Sequence, residues 1–129
     1  MRSSVVAFLV LSLAACWSAH AADPEAGAKV FRKCQACHAV GEGAENKVGP
    51  ELNGLFGRPA GSVPGYDYSE ANKASGIVWT EDVFAAYIRD PRGYLKGTKM
   101  TFAGLRKDQE IADVIAYLKQ FKADGSPAD

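Results

Sequence analysis

Three cysteines, two histidines and two methionines are all that this 129-residue sequence offers in sulfur and imidazole side chains. It also lacks any excess of charge, because Lys and Arg total 15 and Asp and Glu total 15. A chain without a basic excess lacks the electrostatic footprint of a general nucleic-acid binder. With 47% hydrophobic and 23% charged residues the composition is that of a globular protein, which argues against wholesale disorder.

No hydrophobic run is long enough to cross a bilayer. The longest extends from Val5 to Leu13, whereas a membrane-spanning helix needs about 20 apolar residues. Arg2 precedes this run, and residues 19–21 (Ala-His-Ala) follow it with the small-x-small pattern of a cleavage site. The sequence therefore predicts a cleaved signal peptide over residues 1–21 and a single domain over residues 22–129, exported to an oxidising compartment such as a bacterial periplasm.

Two other interpretations of this first segment remain open. It could be a short buried helix, or residues 13–16 (Leu-Ala-Ala-Cys) could be a lipobox. In the second case Cys16 would carry a lipid, and the protein would be a periplasmic lipoprotein anchored to a membrane.

The remaining chain shows no internal repeat and no strand-like alternation of useful length. N-cap residues predict helices that start after Asp23, Ser69, Thr80 and Asp90. The first should run to about Lys33 and the second to near Gly76. A final helix carries apolar residues at i, i+3, i+4 and i+7, with Glu110, Asp113 and Lys119 outside that face. Residues 39–68 are rich in Gly and Pro and predict a loop too long to be a simple connection, so we expect it to enclose another group. We therefore expect an all-α fold with about five short helices.

Residues 34–38 read Cys-Gln-Ala-Cys-His, the C-x-x-C-H pattern of covalent c-type haem attachment. Cys34 and Cys37 would form two thioethers, and His38 would be the proximal ligand of the iron. A thioredoxin-like redox pair would need a strand–helix context, which is not predicted here. A zinc site would need a second pair of ligands. A disulfide between the two cysteines is possible but leaves His38 unexplained.

The second axial ligand follows from what the mature chain still contains. Strong haem ligands are His, Met, Cys thiolate and Tyr. After residue 21 the only methionine is Met100 and the only histidine is His38, while both cysteines are used by the tether. Met100 is therefore the predicted ligand, with lysine or tyrosine ligation, or a packing role for Met100, as the alternatives.

These motifs, in this order over residues 25–121, resemble class I c-type cytochromes, the family that includes bacterial cytochrome c2 and mitochondrial cytochrome c. The resemblance implies the cytochrome c fold, wrapped around one covalently attached haem c. It also implies a one-electron carrier with His/Met ligation rather than an enzyme.

The same resemblance implies roles for particular side chains. The carbonyl of Pro50 would accept the N–H of His38, which fixes the ring and raises its basicity. Arg58, Tyr68 and Trp79 resemble the residues that bind a haem propionate.

Near the methionine, Asn72, Tyr87 and Thr98 resemble a polar cluster that holds a buried water, and Phe102 resembles the aromatic ring over the haem edge. For each aromatic residue, ordinary core packing is the alternative.

The implied partners are membrane electron-transfer complexes: a cytochrome bc-type complex as donor, and an oxidase or photosynthetic reaction centre as acceptor, in respiration or photosynthesis. The electron would leave near Cys34, Lys99 and Phe102. Basic side chains around that edge would steer a monomeric carrier toward acidic surfaces: Lys33, Arg92, Lys96, Lys99 and Arg106. A haem enzyme or gas sensor, with Met100 leaving the iron, and a cofactor-free interaction module are the competing hypotheses.

Overall fold

Five helices and no β-strand form the regular structure of residues 20–129, the part of the chain that the computed structural model describes. In chain order they are α1 (Pro24–Phe31), α2 (Glu70–Lys73), α3 (Glu81–Arg89), α4 (Pro91–Tyr94) and α5 (Asp108–Leu118). The prediction of an all-α fold with about five short helices is confirmed. None of these helices has the length and apolar character needed to span a membrane. The predicted signal peptide over residues 1–21 and the alternative of a lipid on Cys16 fall almost wholly outside the described residues.

Four helices begin at the predicted caps. In each, the side-chain oxygen of the cap residue accepts the backbone N–H of a residue two or three positions later, at 2.9 to 3.1 Å. The cap residues are Asp23, Ser69, Thr80 and Asp90.

The helix ends differ from the prediction. The first helix stops at Phe31 rather than near Lys33, because the chain then tightens into turns. The N–H of Cys34 bonds to the carbonyl of Phe31 at 2.7 Å. The second stops at Lys73 rather than near Gly76. The turn after α1 carries the whole C-x-x-C-H segment.

Gly27 lets α1 and α5 meet backbone to backbone. A Cβ atom at position 27 would lie 2.0 Å from the carbonyl oxygen of Asp113 and 2.7 Å from Cβ of Tyr117. Beside this crossing the rings of Phe31 and Phe121 pack on Tyr117, with centroids 5.3 and 5.2 Å apart. The crossing fixes the start of the turn that carries the two cysteines.

Asp113 is buried, although the helical periodicity places it off the apolar face. The residue is only 6% exposed, and its Oδ1 accepts the backbone N–H of Asp23 at 2.8 Å and the side-chain amide of Gln109 at 2.9 Å. The periodicity misses this because α5 is covered on two sides. Val114 and Leu118 face the interior, while Asp113 meets α1.

The segment between α1 and α2 is held by side chains and backbone rather than by regular structure. Asn53 is buried, and its amide bonds to both the N–H and the carbonyl of Gly41 at 2.8 and 2.9 Å. The N–H of Gly54 bonds to the carbonyl of Phe121 at 3.0 Å. The loop is thus held by hydrogen bonds within itself and by one to the C-terminal segment.

We expect Gly27→Ala to lower the free energy of unfolding by at least about 2 kcal/mol, since overpacking against backbone leaves little room to relax. That loss exceeds the roughly 1 kcal/mol by which alanine favours a helix over glycine. Denaturant unfolding of the purified protein measures it, with the exposed Lys29→Ala in the same helix as a control that should stay within about 0.5 kcal/mol. A Gly27→Ala variant as stable as the control would contradict the close crossing.

Candidate functional site

A cavity of about 390 Å³ occupies the centre of the fold. Eleven buried residues form the main hydrophobic cluster, and nine of them, all except Val30 and Ile111, line this cavity. The core is therefore the wall of a binding site, in the size range of small-molecule pockets. The nine residues come from three helices and the segments between them: Phe31, Leu55, Trp79, Phe84, Tyr87, Ile88, Leu105, Val114 and Leu118.

His38 reaches the cavity with a fixed ring. Its Nδ1 lies 2.7 Å from the carbonyl oxygen of Pro50. A carbonyl only accepts, so Nδ1 carries the proton and Nε2 keeps its lone pair. Burial lowers the pKa of His38, against the hydrogen bond to Pro50, which raises it. The imidazole is thus neutral with one free nitrogen, which is the form that binds a metal.

Gly49 packs against the face of this ring. A Cβ atom at position 49 would lie 2.4 Å from Cε1 of His38 and 2.8 Å from Nδ1. The backbone N–H of Gly49 also bonds to the carbonyl of Cys37 at 2.8 Å. Only glycine leaves room for the imidazole in this position.

Cys34 and Cys37 line the same cavity, and neither forms a disulfide. Burial raises the pKa of the Cys34 thiol to about 11, so the group is neutral at physiological pH. Zinc binding and redox exchange both require a thiolate, whereas a thioether sulfur carries no charge and suits this environment. Residues 20–129 also hold no cluster of three or more His, Cys, Asp or Glu side chains that could bind a metal ion.

Met100 brings its sulfur to the cavity from the segment after α4. The hydroxyl of Tyr87 donates to Sδ at 3.1 Å, and the backbone N–H of Met100 bonds to Oγ1 of Thr98 at 3.3 Å. Burial raises the pKa of Tyr87, so its hydroxyl remains a donor. The sulfur is therefore held by one neighbour and keeps a lone pair available.

Polar groups cluster at one part of the wall. Arg58 and Trp79 are joined by a 3.0 Å backbone bond from the N–H of Trp79 to the carbonyl of Arg58. The Tyr68 hydroxyl accepts the N–H of Val63 at 3.0 Å, which leaves its own hydrogen free. Burial lowers the pKa of Arg58, and its one carboxylate neighbour, Glu51, lies 3.7 Å away. A half-buried cation whose carboxylate partner lies at 3.7 Å favours a further anionic group in the cavity.

Asn72 adds a second unmet polar group. Its Oδ1 is buried and has no hydrogen-bond partner among the described residues, which is rare in folded proteins. It lines the cavity together with Phe102. An apolar wall with a half-buried cation fits a large, mainly apolar ligand that carries acidic substituents. The orphaned oxygen of Asn72 instead needs a hydrogen-bond donor.

All twelve predicted site residues line this one cavity: Cys34, Cys37, His38, Pro50, Arg58, Tyr68, Asn72, Trp79, Tyr87, Thr98, Met100 and Phe102. The hydrogen bond predicted between His38 and Pro50 is present.

Known proteins resemble this chain in sequence and in architecture. The cytochrome c family profile matches residues 24–122. Cytochrome c2 of Blastochloris viridis is 55% identical over 126 residues, which is 98% of each chain. Cytochrome c-550 of Nitrobacter winogradskyi is 59% identical over 103 residues, or 80% of this chain and 94% of that protein. The structure of cytochrome c2 from Rhodospirillum centenum aligns with a TM-score of 0.74 at 44% identity, covering 78% of this chain and 98% of that one.

The chain belongs to the cytochrome c family. It is a c-type cytochrome that carries one covalently bound haem c and acts as an electron carrier, not an enzyme. The hypotheses of a haem enzyme or sensor and of a cofactor-free module are therefore wrong. The resemblance drawn from the sequence, the cytochrome c fold and the cofactor are confirmed.

Some residues that shape the site of this cytochrome escape the sequence analysis. Tyr66 lines the cavity, and its hydroxyl donates to the carbonyl of Val48 at 2.7 Å. The sequence analysis assigns a role to its neighbour Tyr68 but none to Tyr66. Glu51 pairs with Arg58, and Gly49 makes room for the His38 ring. The only local signal is the Gly-Pro pair at 49–50, which marks a turn but not what the turn packs against.

We expect Gly49→Ala to displace the His38 ring, weaken its bond to Pro50 and lower the free energy of unfolding by about 1–3 kcal/mol. NMR of the reduced haem protein reports the ring position, and denaturant unfolding reports the stability. Val48→Ala, a truncation at the neighbouring residue that is 75% exposed, is the control. Unchanged imidazole signals in Gly49→Ala would count against the packing of residue 49 on the ring.

Proposed function

We propose that this cytochrome carries single electrons with His38 and Met100 as the two axial ligands of its haem iron. The observation that supports this most directly is a neutral imidazole with its free Nε2 and a methionine sulfur in one cavity with both cysteines. When bound, the haem supplies an iron that takes up and releases one electron, at a potential raised by methionine ligation. With His38 and Met100 both bound to the iron, no coordination site would remain for a substrate.

Several residues prepare the site in advance. Pro50 orients the imidazole through a 2.7 Å bond, so no ring rotation is needed between the two charge states. Tyr87 donates to the methionine sulfur, which keeps a second lone pair for the metal. The buried walls of the cavity would exclude water from the haem and disfavour its oxidised state, which carries the higher charge.

Arg58, Tyr68 and Trp79 would hold a propionate. The guanidinium is half-buried with Glu51 at 3.7 Å, and two of its nitrogens donate to the backbone carbonyls of Asn53 and Glu51 at 3.0 and 3.2 Å. These bonds fix the position of the positive charge. Tyr68 has a free hydroxyl hydrogen beside it. We propose that Asn72 and Thr98 belong to a polar cluster next to Met100, and that the ring of Phe102 covers the edge of the haem.

The electron would pass through the mouth of the cavity, where its lining residues are exposed. Val48 is 75% exposed there. Lys33 pairs with Glu110 at 3.0 Å and Lys99 pairs with Asp67 at 3.5 Å. Lys47 forms no ion pair among residues 20–129, and its Nζ donates to the carbonyl of Gln35 at 2.6 Å.

A mouth with one exposed apolar side chain, two paired lysines and one lysine without an ion pair suits brief docking on an acidic surface. We propose a monomeric carrier that moves between a cytochrome bc-type complex and an oxidase or photosynthetic reaction centre. We also propose export to the periplasm by cleavage after Ala21, with lipidation at Cys16 as the alternative.

Met100→Ala should leave the haem attached and lower the reduction potential, because the tether does not involve the methionine. The optical spectrum of the oxidised protein should lose its weak far-red sulfur-to-iron band, and added imidazole should bind without displacing a side chain. Tyr87→Phe, which removes the hydrogen bond but keeps the sulfur, should retain the band. If the band is absent from the unaltered protein, or survives in Met100→Ala, the ligand assignment fails.

Lys47→Glu should slow electron transfer to an acidic redox partner about three- to tenfold at low ionic strength, because steering by charge near the exit is lost. The rates of variant and parent should converge at high salt. Neither Lys47 nor the control residue lines the cavity, but Lys47 precedes Val48 at its mouth, whereas Lys122 has no cavity-lining neighbour in the chain; Lys122→Glu changes the net charge equally and serves as the control. Stopped-flow reduction kinetics measure both, and equal slowing by the two variants would argue against docking at the mouth.

A further inference from the structure

Tyr66 and Asp67 connect two segments that are far apart in the chain. The hydroxyl of Tyr66 donates to the carbonyl of Val48 at 2.7 Å. The ammonium group of Lys99 lies 5.4 Å from the centre of the Tyr66 ring and 3.5 Å from Oδ2 of Asp67. Lys99 also donates to the carbonyl oxygen of Asp67.

Each contacted residue is next to one that determines ligand geometry. Val48 precedes Gly49, the residue that packs on the His38 ring. Lys99 precedes Met100, whose sulfur lines the cavity. Tyr66, Val48 and Lys99 all line the cavity as well, and all lie on its exposed side.

Few hydrogen bonds from the rest of the chain hold the residues immediately around Met100. The α4 helix ends at Tyr94, and residues 95–107 contain no helix or strand. Met100 itself is bonded through its backbone N–H to Thr98, a residue of the same segment, and through its sulfur to Tyr87. The next hydrogen bonds to the rest of the chain are at Thr101, whose carbonyl accepts from Arg92 at 3.5 Å, and at Leu105, whose N–H bonds to the carbonyl of Ile88 at 2.8 Å. The residues around Met100 are held less firmly than the end of the segment and open more easily, so the contacts at Lys99 matter for the position of Met100.

We propose that Tyr66 and Asp67 form a bridge between the two ligand segments, with both residues acting as positioning residues that limit how often Met100 leaves the iron. The inference rests on the proposed ligation by Met100. The three contacts act on one group: the carboxylate and backbone carbonyl of Asp67 bind the ammonium, the aromatic face of Tyr66 covers it, and the Tyr66 hydroxyl ties the assembly to the His38 side.

The bridge also changes the role of Lys99 at the mouth. A lysine bound by a carboxylate, a carbonyl and an aromatic ring contributes less net positive charge to docking than its exposure indicates. Lys99 therefore contributes more to the position of the Met100 segment than to docking on a redox partner.

Imidazole uptake by the oxidised haem protein tests the bridge, because imidazole must wait for the methionine to leave. The loss of the far-red sulfur-to-iron band after mixing gives the rate. Asp67→Asn removes the carboxylate charge and Tyr66→Phe removes the bond to Val48 while keeping the ring. Losing one such contact should raise the rate about three- to tenfold.

Two matched controls remove the same groups elsewhere. Glu70→Gln deletes a carboxylate that is three residues from Asp67 and pairs with Lys73, not with a residue of either ligand segment. Tyr94→Phe deletes a hydroxyl that makes no hydrogen bond within residues 20–129, on a residue that is 45% exposed. Both controls should stay within about twofold of the parent.

If either test variant takes up imidazole no faster than its control, or if all four variants speed up alike, the bridge is overturned while the ligand assignment stands. Absence of the band from the parent protein overturns the ligand assignment, and the bridge with it.

Discussion

The structure depends on a core that the chain cannot fill by itself. Nine of the eleven residues in the main hydrophobic cluster line a cavity of about 390 Å³. The helices are four to eleven residues long, and only α1 and α5 make an extensive contact. Short helices gain most of their stability from tertiary packing. The haem must therefore supply the apolar surface against which these elements pack, and its covalent attachment keeps that surface from being lost.

This requirement explains why so much of the chain is loop. A helix uses its own backbone groups, whereas a turn can offer a carbonyl to a ligand. Pro50 offers one to His38, and the carbonyls of Asn53 and Glu51 hold Arg58. Each bond fixes a group that would be costly to bury alone. The long segment between α1 and α2 is thus the structural support for the polar parts of the site.

The sequence predicts well what depends on local chemistry. Helix starts follow from caps such as Thr80, and the tether follows from the spacing of Cys34, Cys37 and His38. It predicts poorly what depends on contacts across the chain. Asp113 is buried because α1 crosses α5 at Gly27, and a periodicity calculated for one helix contains no information about the other. The resemblance to a family gave the site residues, but not the bonds between them.

The distribution of charge reflects two opposing demands on the mouth of the cavity. An electron carrier must meet its partners quickly, which calls for exposed charge. It must also leave them quickly, and short-lived redox complexes bury little surface. Two lysines that line the mouth, Lys33 and Lys99, are each paired with a carboxylate of the same chain. Pairing tempers attraction to an acidic partner, and the exposed Val48 adds contact that salt does not screen. A neutral chain with internally paired cations is therefore consistent with rapid turnover of complexes rather than with tight binding.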